Sequence, residues 1–149
     1  MIRDANKFDM PELIAMMRDY SAQAPAKTLQ KNAVHDVAHV EKMMASMMAG
    51  MGFVVIDQKK RGFIAAIITN NVWCPSVLEL HELAWWVKPE HRNGTVGGRL
   101  WREFDFRAQK MLENGKINIA CTSVLANSHF IDYVKRGYEP MEATFFREQ

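Results

Sequence analysis

Residues 82–100, ELAWWVKPEHRNGTVGGRL, constrain this chain more than any other stretch. An apolar run ends at Val87-Lys88-Pro89, and a short polar turn then carries His91 and Arg92. Gly94, Gly97 and Gly98 open a segment in which Leu100, Phe104, Ala108 and Met111 fall on one helical face. Strand, glycine-rich turn and helix in that order bring bare backbone N–H groups and the positive end of a helix to one point. A chain built this way needs a sheet beside the strand and a core under the helix. Where the two meet, an anion is welcome.

With 149 residues, a single domain spanning 1–149 around one core is expected. A formal net charge of +2 is too small and too dispersed to point to nucleic acid. No apolar run approaches the roughly 20 residues that cross a bilayer, so no membrane association is expected. Met1-Ile2-Arg3-Asp4 leads straight into polar residues, unlike a signal peptide. Cys74 and Cys121 lie in or beside apolar segments without metal-ligand spacing, as expected of reduced thiols in the cytoplasm. His35 and His39 stand four apart but lack a third ligand of suitable spacing, so no metal is expected. Met43, Met44, Met47, Met48 and Met51 cluster at a spacing that suits a core helix better than a binding face.

The remaining elements follow from periodicity and punctuation. Asp9 with Glu12 reads as a capping box, Phe8 with Leu13 as a hydrophobic staple, and residues 10–20 as a helix. Residues 21–33 read as a loop broken by Pro25, and residues 35–49 as a second helix. Residues 52–56 and 62–68 read as strands joined by the polar turn 57–61, and residues 77–87 as a long strand. After the glycine turn and its helix, Gly115 is a C′ residue, residues 117–121 a strand, 127–135 a short helix and 144–147 a last strand. The class is α+β with mixed strand pairing.

Two local motifs in this order of elements resemble the GCN5-related N-acetyltransferase (GNAT) superfamily. In that family a strand ending V-x-P runs into [R/Q]-x-x-G-x-[G/A] at the head of a long helix. Here Val87-Lys88-Pro89 precedes Arg92-Asn93-Gly94-Thr95-Val96-Gly97; Arg92 and Gly97 match, and Thr95 stands where the first glycine is usual. Tyr133-Val134-Lys135-Arg136-Gly137-Tyr138 resembles the family's Y-x-K-x-G-[F/Y] segment. The run from Trp85 to Arg92 is similar to small phage-encoded members. The resemblance implies a mixed, mostly antiparallel sheet of six to seven strands flanked by about four helices. It also implies an acetyl-CoA-dependent N-acetyltransferase whose acceptor is a small-molecule or protein amine, and it is compatible with a homodimer. The alternative is a GNAT-shaped protein with weak or no catalysis that works through protein–protein contact.

The implied roles fall on particular residues. Backbone N–H groups of Asn93, Gly94, Thr95, Val96, Gly97 and Gly98 would donate to the pyrophosphate, with Arg92 nearby, and Trp85, Trp86 and Val87 would border the pantetheine arm. A primary amine with a pKa of about 10.4 is mostly protonated at neutral pH and benefits from a base. His81 sits where relatives place that base, and Glu79 can act itself or orient it. Plain alternation puts Glu79, His81, Leu83, Trp85 and Val87 on one face of the strand. Leu80 and Glu82 then take the other, unless a β-bulge intervenes. Tyr133 matches the tyrosine that protonates the leaving thiolate. Neither cysteine has the setting of a nucleophile, so direct attack in a ternary complex is expected.

Overall fold

The computed structural model describes residues 1–32, 36–127 and 131–149. Its elements are β1 (Ile2–Asp4), α1 (Met10–Ala22), α2 (Lys27–Asn32), α3 (Val37–Ser46), β2 (Gly52–Asp57), β3 (Gly62–Asn70), β4 (Leu78–Val87), α4 (Val96–Glu113) and β5 (Ile119–Cys121). The strands form one sheet in the order β1-β2-β3-β4-β5, antiparallel throughout except for the parallel β4–β5 pair. The fold class is α+β.

Alternation along the strands divides the core between the two faces. Val54, Ile56, Phe63, Ala65, Ala84 and Trp86 face Leu13 and Met16 of α1 and Met44 of α3. Phe53, Val55, Ile64, Ala66, Leu80 and Val87 face Leu100, Trp101, Phe104 and Ala108 of α4. Met44 and Met47 are core residues, as their spacing suggests, while Met51 is exposed. α4 ends as expected: Gly115 takes φ +75°, its N–H bonds the Leu112 carbonyl, and the Lys116 N–H bonds Met111.

Four expectations are corrected. The sheet has five strands among the described residues, not six or seven. Residues 144–147 carry no regular structure; Phe145 is 92% exposed, and a strand needs both a paired edge and a buried face. The tail is tied down instead by Glu148, whose carboxylate accepts from the N–H groups of Lys27 (3.0 Å) and Thr28 (2.7 Å). These bonds lie at the start of α2, a helix inside the segment expected to be a loop, so the four α-helices are not the four expected. Residues 127–135 form no α-helix where described: only a 3₁₀ turn, Val134–Arg136, closed by Gly137 at φ +89°. Residues 128–130 lie outside the described residues.

At the N-terminus the cap moves forward. Asn6 accepts the Phe8 N–H, and Asp9 completes the box by accepting the Asn6 N–H while pairing with Arg3 at 2.7 Å. Phe8 is exposed, so no staple forms with buried Leu13.

Candidate functional site

β4 and β5 pair only at Glu79–Ile119, Leu80–Ala120 and His81–Cys121. Beyond His81, that edge of β4 has no strand partner among the described residues, and the sheet forks there. Lys88 N–H donates to the Arg61 carbonyl on the β3 side, so by alternation the N–H groups of Trp85 and Val87 face the open fork. The Val87 carbonyl on the same edge accepts from Arg92 Nε at 2.8 Å. The Arg92 guanidinium lies 4.4 Å from the Trp86 ring centroid, which commits this side chain to holding the strand end.

The start of α4 adjoins this open edge. The first helical bond runs from the Arg99 N–H to the Thr95 carbonyl, and the N–H groups of Val96, Gly97 and Gly98 have no carbonyl partner. Thr95 makes no side-chain cap, and the first turn holds no acidic residue. Such a start leaves its partial positive charge uncompensated, and exposed Arg99 and Arg102 add to it. A Cβ on Gly98 would meet nothing within 4 Å, and one on Gly97 only Val87 at 3.4 Å and Trp85 at 3.8 Å. Beside the turn a cleft of about 400 Å³ is lined by Arg61, Glu90, His91, Gly94, Thr95, Val96 and Arg99. Asn93 is exposed between His91 and Gly94. Together these groups form a donor-rich, cationic shelf that fits a pyrophosphate.

The side-chain faces of β4 depart from plain alternation. Ala65 pairs with Ala84 but Ala66 pairs with Glu82, so Leu83 is an extra residue, a β-bulge. Beyond it every parity reverses. Glu82 therefore shares the α4 face with Leu80, Trp85 and Val87, whereas His81 and Glu79 share the α1 face with Ala84 and Trp86. His81 and Glu79 do stay together: His81 Nε2 is 3.0 Å from Glu79 Oε1, and the Asn71 amide donates to Glu79 Oε2 at 2.9 Å. These bonds, Asn71 first, hold the Glu79 carboxyl below the usual carboxylate range. Glu82 is only 8% exposed, and burial pushes its carboxyl up to about 8. Periodicity alone passed over this residue; the bulge that turns it inward carries no Gly or Pro.

Tyr133 packs its ring 5.9 Å from Trp101 of α4. Its hydroxyl is buried without a hydrogen-bond partner, as are Trp85 Nε1, Trp101 Nε1 and Thr122 Oγ1. Burial, with the Glu82 charge adding to it, raises the Tyr133 pKa, so the phenol keeps its proton. Tyr138 anchors the segment by donating to Asp105 Oδ1 at 2.8 Å. Among the described residues no group of His, Cys, Asp and Glu could hold a metal ion, and no helix is long and apolar enough to cross a membrane. His35 lies outside the described residues.

No protein-family model matches the sequence, and no curated protein matches it. Solved structures do. A Trypanosoma brucei acetyltransferase superposes with a TM-score of 0.64 at 13% identity, over 100% of this chain and 99% of its own. The aminoglycoside N-acetyltransferase AAC(6')-Iy in complex with CoA gives 0.63 at 15% identity, over 100% and 98%. A transcriptional regulator from Bacillus halodurans gives 0.63 at 11% identity, over 99% and 98%. The chain therefore has the GNAT-type acetyltransferase fold.

Proposed function

We propose that this protein transfers an acetyl group from acetyl-CoA to a primary amine by direct attack in a ternary complex. The observation that carries the proposal is the pairing of two unsatisfied backbone surfaces at the fork: the open β4 edge at Trp85 and Val87, and the uncapped start of α4 at residues 96–98. Orphan donors in a row along a strand and at a helix start suit an amide-bearing arm that ends in phosphates. The AAC(6')-Iy structures hold CoA or a CoA analogue on the same fold, which supports this choice of donor.

The donor supplies an activated thioester; the chain's own groups manage charge and protons. The Val87 N–H, facing the fork, donates to the oxyanion that develops on the carbonyl. His81, oriented by Glu79, takes the proton that frees the amine lone pair. The amine nitrogen bonds to the acyl carbon as the carbon–sulfur bond breaks, and Tyr133 gives its proton to the leaving thiolate. The remaining amine proton re-forms the phenol, so one proton leaves through His81 and one ends on the thiol. We place this chemistry in the cytoplasm, away from membrane and nucleic acid, in a monomer or a homodimer.

One observation favours a second reading, action by protein contact. Val72, Trp73 and Phe145 are each more than 80% exposed on the β3–β4 turn and the tail. The two separate by experiment. Titration with CoA in a calorimeter, followed by thiol release from acetyl-CoA across a panel of amines, gives binding and turnover if the enzyme reading holds. Turnover falls in His81→Ala and in Tyr133→Phe. Absence of CoA binding rules the transferase out; activity indifferent to both substitutions rules out the residue roles alone.

A further inference from the structure

α2 is a helix that its own residues do not stabilise. It has six residues, Lys27–Asn32, about half of what an isolated helix needs in water. Its first turn holds no acidic side chain. Ala26, whose carbonyl accepts the Gln30 N–H at 3.1 Å, stands at the N-cap. Alanine offers no side-chain acceptor to the N–H groups that a helix start leaves open. Glu148 fills that gap from the other end of the chain. Its Oε1 accepts the Lys27 N–H, and its Oε2 accepts both the Thr28 N–H and, at 2.7 Å, the Thr28 hydroxyl. These bonds, the Thr28 hydroxyl first, hold the Glu148 carboxyl below the usual carboxylate range, so it is ionised at neutral pH.

The tail that delivers Glu148 starts on the opposite face of the sheet. Tyr138 is fixed on α4, through its bond to Asp105 and a ring contact with Trp101 at 5.8 Å. α4 covers one face of the sheet and α1 the other, and α2 continues from α1. Residues 139–147, all exposed and without regular structure, therefore carry the chain from one face to the other. A segment of that length reaches at most about 30 Å when extended, enough to round a sheet edge. Its path passes β5: burial, then the charges of Glu79 and Glu142, raise the Cys121 thiol, which places Glu142 beside that strand. The Asn127 amide, also from beyond β5, donates to the Gln23 carbonyl at 3.0 Å. The corner between α1 and α2 thus receives the chain twice. The fork opens beside the same corner, where the Tyr20 hydroxyl reaches the Leu83 carbonyl at 3.4 Å.

We propose that the C-terminal tail is a strap across the β5 side of the fork, that Glu148 is its latch, and that α2 and the strap lock and release as one unit. When Glu148 leaves, α2 loses the acceptors at its start and reverts to a loop, and the strap swings away from β5. When it returns, one carboxylate caps the helix and closes that side of the fork together. Bonds between exposed groups, on a short helix with an exposed tail, belong to the part of a fold that opens most readily. The device is a two-state element, and it operates whichever donor the fork takes.

The test uses the full chain at pH 7, with Cys74→Ser as background so that Cys121 is the one thiol. Hydrogen exchange reads α2, and the rate of Cys121 alkylation by iodoacetamide reads the strap. Glu148→Ala should lower protection of the α2 amides by about tenfold, the usual worth of a lost cap, and should speed Cys121 alkylation several-fold. Glu148→Gln, which keeps one acceptor oxygen, should fall between the two. Adding Ala26→Ser to Glu148→Ala supplies a local cap, so α2 protection returns while Cys121 stays fast. Unchanged α2 protection in Glu148→Ala overturns the latch. Looser α2 with an unchanged Cys121 rate overturns the strap. Equal loss of protection in β2 and β3 marks general unfolding and overturns the proposal as a whole.

Discussion

Replacing Glu82 by Gln should make the protein more stable, by an amount that grows with pH. Glu82 has an ordinary value of 4.5 and is pushed up to about 8 in the fold by burial. The folded state therefore keeps a proton that the unfolded chain gives up. This residue costs no stability below about pH 4, an increasing amount from there to about pH 8, and a constant amount beyond. Each pH unit inside that window is worth about 1.4 kcal/mol, so the penalty at pH 8.5 exceeds that at pH 5 by about 4 kcal/mol. Glutamine keeps the shape and never ionises. Urea unfolding of the two proteins at pH 5, 7 and 8.5 isolates this term, because every other titrating group cancels in the difference. The gap should open steadily from pH 5 to 8.5. A gap that stays constant across that range would show that Glu82 is solvated in the native state, and would refute the burial argument.

Four further outcomes follow from named contacts. Gly98→Asp supplies the acidic first turn that α4 lacks, so it should add about 0.5 kcal/mol to stability; the same charge on the anion shelf should weaken CoA binding roughly tenfold or more, read by calorimetry. Tyr133→Phe removes a buried, unpartnered hydroxyl, so the melting temperature should hold or rise while turnover falls by about 100-fold at unchanged CoA affinity. Gly52→Ala places a Cβ 2.0 Å from the Ala66 carbonyl at φ +151°, which should cost more than about 3 kcal/mol and show as loss of soluble, folded protein. Asp57→Asn breaks a buried pair with Arg61 and should cost about 3 kcal/mol at neutral pH. The Arg61 bond holds the Asp57 carboxyl below its ordinary 3.8, so this advantage is present above that value and fades as pH falls through the lower folded pKa.

Local punctuation was readable wherever a residue type forces a geometry. The hairpin 57–61, the helix from Val96 and the Schellman end at Gly115 all follow from Gly, polar turn residues and a 3.6-residue period. The Asp9 cap failed because Asn6 competes for the same role and Arg3 claims the Asp9 carboxylate. α2 was missed because its start is capped by Glu148, more than a hundred residues away, a contact no window can see. The final strand failed for the converse reason: Thr144, Phe145, Phe146 and Arg147 have strand-forming character but no edge that pairs with them.

The bulge at Leu83 matters most for chemistry, and it is the least legible feature of all. Leu83 fits the alternating pattern as well as any leucine, so the sequence read without it keeps His81 in line with Val87 and sends Glu82 away. With the extra residue, His81 and Glu79 lie on the α1 face while Glu82 and Tyr133 lie on the α4 side. Acetyl transfer to an amine needs a group that accepts a proton from nitrogen and another that gives one to sulfur. On one face, two such groups would exchange the proton between themselves. Separated by the sheet, they can meet only through the reacting atoms. Without the bulge, alternation would carry His81 to the α4 side, onto the face of Val87 and Tyr133.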